Sequence, residues 1–135
     1  MAADSIMGRA IRSCRKSFEV IPAGERESRV RGGYEFAAGF AGFAGHFPEH
    51  PVVPGVSLLE AARQLAAETG SGDLELASIR QVKFFHSLGP GESVTMELRC
   101  KPGKKPGDIG VTGEARMTDE ASAVVAKFQF EGRWV

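Results

Sequence analysis

Pro54-Gly55-Val56-Ser57-Leu58-Leu59-Glu60-Ala61-Ala62-Arg63-Gln64-Leu65-Ala66-Ala67-Glu68-Thr69-Gly70 is the stretch that fixes the architecture. As a helix, its Leu58, Leu59, Ala61, Ala62, Leu65 and Ala66 leave little of the surface polar, so it belongs inside something. Pro54 suits a helix entrance, where a missing N–H costs little, and Gly70 suits the left-handed residue just past an exit. The pattern predicts a helix over residues 56–69, the one helix legible in the chain.

Everything around it alternates. Residues 14–21 place Phe18 and Val20 against Glu19, and residues 25–36 follow as a second strand in which Gly32-Gly33 marks a bulge. Further strands are expected over residues 74–85, 93–100, 110–117 and 122–134. Val94, Met96, Leu98 and Cys100 form one face of the third of these six strands to last, and Val124, Ala126, Phe128 and Phe130 one face of the last. One apolar helix cannot cover two faces of a parallel sheet. The expected class is α+β: a curved antiparallel sheet of five or six strands wrapped around one central helix, the hot-dog fold, with residues 1–135 forming a single domain.

Composition narrows the function classes. Lysine plus arginine total 17 and aspartate plus glutamate total 17, so no bulk field draws in nucleic acid or an anionic membrane. No apolar run has the length of a signal peptide or membrane span, which predicts a cytoplasmic protein. Cys14 and Cys100 lie far apart without metal or redox spacing and are expected as reduced thiols among strand residues.

The helix is fed by Gly45-His46-Phe47-Pro48-Glu49-His50-Pro51-Val52-Val53. Together with Pro54-Gly55-Val56 and Glu60, this segment resembles the signature of the 3-hydroxyacyl-[acyl-carrier-protein] dehydratases of fatty acid synthesis. Glu60 stands fourteen positions after His46, as in that family's catalytic pair. Glutamate there, with Gln64 one turn on, is similar to the dehydratase-only branch. The likeness runs from Arg29 towards the C terminus and takes in Phe43, Val82-Lys83-Phe84 and Pro90-Gly91-Glu92. It implies a cofactor-free lyase acting on a thioester of acyl carrier protein or coenzyme A. It also implies a homodimer, able to assemble further, whose active sites take histidine from one subunit and the acid from the other.

The chemistry is legible in the residue types as well. Dehydration needs a base for the C2 proton, an acid for the C3 hydroxyl, and donors for charge growing on the thioester oxygen. A neutral His46 supplies the first, because its pKa lies naturally near the working pH. A protonated Glu60 is expected to supply the second, through a water held by Gln64 at i+4. The amides of Gly55 and Val56 at the helix start supply the third. Phe47 and Phe84 are expected to line the acyl site, and Arg63, Lys83 and His86 to join the basic loop at residues 101–105 in receiving an acidic carrier. A metal site from His46, His50 and Glu60 is not expected, because the intervening prolines prevent helical presentation of the two imidazoles.

Three departures from the family qualify the resemblance. Residues 1–14 carry no counterpart of its helical leader, Glu49 stands where glycine is usual, and Phe85-His86-Ser87 replaces a basic segment. These suit a polyketide or aryl-polyene route as readily as fatty acid synthesis. Two competing readings on the same fold are an acyl-thioesterase and a non-catalytic acyl-binding or assembly subunit.

Overall fold

In the computed structural model, which describes residues 5–43 and 52–135, the chain is a six-stranded antiparallel sheet curved around a helix, as the pattern predicts. The elements are α1 (Ile6–Cys14), β1 (Arg15–Pro22), β2 (Ser28–Glu35), α2 (Gly55–Ala67), β3 (Leu74–Phe84), β4 (Ser93–Pro102), β5 (Asp108–Met117) and β6 (Val124–Trp134). The sheet order is β1-β2-β4-β5-β6-β3, so β1 and β3 are its edges. Val94, Met96, Leu98 and Cys100 are buried, as are Ala126, Phe128 and Phe130. The outer face carries cross-strand charges, among them Arg31 to Glu97 at 3.0 Å.

Two readings of the sequence are corrected. The N-terminal stretch is not without a helix: Ile6–Cys14 forms α1, capped by the Ser5 hydroxyl, which accepts from the Gly8 N–H at 2.9 Å. Cys14 therefore ends a helix, and α1 buries Gly8, Ile11 and Cys14 on the side facing the core. Gly32-Gly33 is not a bulge either, since both residues stay in register with β4. The shift in this sheet region lies in β1, between Arg15 and Ser17. Gly32 serves close packing instead: a Cβ there would sit 2.9 Å from Leu65 Cδ1 of α2. The missing side chain lets the central helix rest on β2.

Both thiols are free and buried. Burial pushes the Cys100 thiol up to about 11, with hydrogen bonding to Thr69 opposing it. Because the folded value stands above the ordinary one, this contribution to stability is complete below the ordinary thiol range and is lost as pH rises towards about 11.

The loop leading out of β2 is pinned by aromatic packing. Phe36, Phe40 and Phe43 are all buried, with ring centroids 5.2 and 5.5 Å apart in edge-to-face geometry. This ladder delivers the chain to residue 44.

Leu65 is fully buried, so Leu65→Ala should lower the unfolding free energy by about 2–5 kcal/mol in urea titrations. Val20→Ala, on the exposed part of β1, should cost less than about 1 kcal/mol in the same assay. Cys100 should resist alkylation at pH 8 and become reactive only as pH approaches about 11, as followed by mass spectrometry.

Candidate functional site

The head of α2 opens on a groove with a mixed polar and apolar lining. Pro54, the N-cap, is extended and contributes no side-chain hydrogen bond; the first turn closes with Ser57 N–H to the Pro54 carbonyl at 2.9 Å. The amides of Gly55 and Val56 therefore head the helix, at the positive end of its dipole. Val56 is exposed, whereas Gly55 lies against Phe84, where a Cβ would come within 2.7 Å of the ring. No bulkier residue fits this contact without moving the ring.

The groove, about 350 Å³, has Val53, Leu58 and Leu88 as its buried floor and Phe84 and Phe85 as half-exposed walls. Val53 N–H donates to the Leu88 carbonyl at 2.8 Å, and Phe85 N–H to the Val125 carbonyl at 2.8 Å. Both walls are thus held by backbone. His86 is exposed and borders the groove, whereas Lys83, exposed next to Phe84 in β3, lies on the opposite face of the sheet.

Deeper along α2 runs a buried polar lane of Ser57, Glu60, Arg63 and Gln64. Arg63 grips Glu60 with two parallel bonds, Nε to Oε1 at 2.7 Å and Nη2 to Oε2 at 2.6 Å. Its Nη1 donates to Asp73 Oδ1 at 3.1 Å and to the Leu74 carbonyl at 2.6 Å, at the head of β3. Gln64 Nε2 donates both to Glu60 Oε2 at 3.0 Å and to the Gly8 carbonyl of α1 at 2.8 Å. The bonds to Glu60 are the main cause that raises the arginine's proton affinity above its ordinary value, with burial acting against them.

This arrangement changes what two residues can do. Arg63 is 1% exposed, so it cannot belong to a surface patch receiving a carrier protein; its charge is spent inside the chain. Glu60 accepts three N–H bonds from Arg63 and Gln64 and is the ion-pair partner of Arg63, a contact its apolar neighbours did not suggest. Gln64 is turned to donate to that carboxylate. The structure brings Gly55 and Phe84 together at the groove, leaves the Val56 side chain exposed outside it, and places Glu60 with Gln64 farther along α2. His46 and Phe47 lie outside the described residues, as does His50.

The sequence did carry a signal for the ion pair. Opposite charges three residues apart on a helix otherwise too apolar to be exposed are buried together or not at all. The partners beyond the helix, Asp73, the Leu74 carbonyl and the Gly8 carbonyl, depend on tertiary placement and left no local trace.

Comparison with known proteins agrees with this fold. Residues 23–122 match the family model described as ApeI-like, ApeI dehydratase. A 3-hydroxyacyl-[acyl-carrier-protein] dehydratase FabZ of Clostridium beijerinckii is 33% identical over 113 residues, 78% of this chain and 78% of that protein. The FabZ of Thermotoga maritima is 35% identical over 89 residues, and the match spans 62% of its length and 63% of this chain. The dehydratase heterocomplex ApeI:P of Xenorhabdus doucetiae superposes with a TM-score of 0.63 at 20% identity, covering 88% of this chain and 96% of that one. With its family model matched across most of the sheet and all of α2, this chain belongs to the ApeI-like family of FabZ-related hot-dog proteins.

Proposed function

We propose that this chain removes water from a 3-hydroxyacyl thioester of acyl carrier protein or coenzyme A to give the trans-2-enoyl thioester. The observation that carries the reading is the head of α2, whose Gly55 and Val56 amides open on a groove walled by Phe84 with a buried carboxylate little more than one turn farther in. Helix-start amides are suited to charge on a thioester oxygen, and the groove to the carbons beyond it. Membership of the ApeI-like family supports the same reaction.

His46 is the base. It takes the C2 proton, the electrons left behind form the C2–C3 double bond, and the C3–O bond breaks. Because Glu60 is arranged as a carboxylate, the proton for the departing hydroxyl comes from the His46 imidazolium just formed, and water leaves with histidine neutral again. Glu60 accepts a hydrogen bond from the substrate hydroxyl or a water, and because Arg63 balances its charge the pair does not oppose the imidazolium. The edge strand β3, with exposed Ile79 and Phe84, is the surface we assign to a second copy, which would bring in the partner histidine. Exposed His86 borders the groove and suits an acidic carrier.

A thioesterase reading is favoured by one feature, the position of Glu60, since a carboxyl group behind a helix head suits water attack on the thioester carbon. Product analysis separates the two. Incubated with a panel of 3-hydroxyacyl thioesters, the protein should generate enoyl absorbance without free thiol, and His46→Ala should slow it about 10²–10⁴-fold. Release of free thiol instead would establish hydrolysis. Neither product, with activity in the cell unaffected by His46→Ala and Glu60→Gln, would leave an acyl-binding or assembly subunit. Gly55→Ala should swing Phe84 into the groove and raise KM, and the double variant Gly55→Ala/Phe84→Ala should recover most of the loss.

A further inference from the structure

Among the described residues, Arg63 is the cation enclosed by the polar lane, and four of its five N–H donors are directed at named acceptors. Two meet the two oxygens of Glu60, and Nη1 meets Asp73 and the Leu74 carbonyl. The guanidinium thus spans from the middle of α2 to the first residues of the edge strand β3. The amide of Gln64 must face its nitrogen towards the Gly8 carbonyl and Glu60, because both are acceptors. Its Oε1 is buried and, among the described residues, meets no donor. Behind the helix head the lane therefore presents acceptors: one carboxylate already neutralised by Arg63, and one amide oxygen still open to an incoming hydroxyl.

We infer that Arg63 is a positioning residue that sets the protonation state of Glu60, holding it as an anion that accepts from a hydroxyl-bearing substrate and withholding it from the role of proton donor. This rests on the dehydration reading for its catalytic consequence but not for its structural one. Without Arg63, a carboxyl buried beside Gln64 has no charge partner, and burial favours the neutral acid. The same residue then becomes a proton donor. The Asp73 and Leu74 contacts matter because they fix the guanidinium from behind and leave it one orientation towards Glu60.

Infrared difference spectra read this directly. At neutral pH, the neutral-carboxyl C=O band that Glu60→Gln abolishes should be absent from the wild-type protein and present in Arg63→Met, with Arg63→Lys in between. In the enoyl assay the wild type should lack a limb falling with rising pH that Glu60→Gln removes. Arg63→Met should gain one, losing about tenfold per pH unit above its midpoint. Asp73 is 44% exposed at its side chain, so Asp73→Asn should keep the fold and loosen the guanidinium. It should show a weaker version of both changes, which holds the test open if Arg63→Met does not fold. A neutral Glu60 band in the wild type, or none in either Arg63→Met or Asp73→Asn, would overturn the assignment of Arg63. Absence of any enoyl product from the wild type would instead sink the dehydration reading, while the infrared comparison would still decide what Arg63 does.

Discussion

Glu60 is 4% exposed and Arg63 1% exposed, one turn apart on a helix whose other contacts are mostly apolar, and this buried pair constrains what surrounds α2. Taking both charges out of water costs several kcal/mol per ion, and only close geometry with the remaining donors and acceptors satisfied offsets it. The neighbours meet that demand: Asp73 and the Leu74 carbonyl take Nη1, Gln64 adds a third N–H to Glu60, and the Gly8 carbonyl takes the other Gln64 hydrogen. α1 and the start of β3 are thus joined to α2 by polar bonds as well as by packing. Deleting one member of such a pair typically costs about 3–5 kcal/mol, because the survivor is left charged and unpartnered.

Much of the fold was legible because two periods dominate it. Alternation in residues 93–100 and 126–130 places side chains on the faces where the structure has them, whereas Val125 is buried in place of Val124 beside a register shift; the apolar density of residues 58–66 marks the enclosed helix. α1 was missed because Arg9, Arg12 and Ser13 interrupt any apolar run, although Met7, Ile11 and Cys14 at four- and three-residue spacing trace a narrow helical stripe. The glycine pair at 32 and 33 misled for a different reason. A glycine in a strand signals either a bulge or a close approach, and the choice was made by Leu65, which is thirty-three positions away in sequence.

The site was legible in part. Gly55 and Phe84 fall together because proline and glycine at a helix entrance specify an exposed, uncrowded amide pair, and the groove follows from the strand that faces it. Arg63 was misplaced because charge alone suggests solvent, while the helix around it argues for burial. Where the two signals conflict on an almost wholly apolar helix, burial with a partner is the outcome that physics allows. The same pairing gives Glu60 a charged partner that its apolar neighbours did not announce.

The strand β3 connects the two halves of the site. Its first residues hold Arg63 from behind, and its last, Phe84, walls the groove at the head of α2. Charge balance in the proposed dehydration follows from that layout. Glu60 and Arg63 together are neutral, so the lane does not oppose an imidazolium forming nearby, as a lone arginine would. The negative charge that develops at the same moment lies on the thioester oxygen, at the opposite end of the substrate, where the α2 dipole and its first amides favour it. On the proposed reading, the helix thus offers its open head to the anion, while the paired charges of its interior add no net charge against the cation.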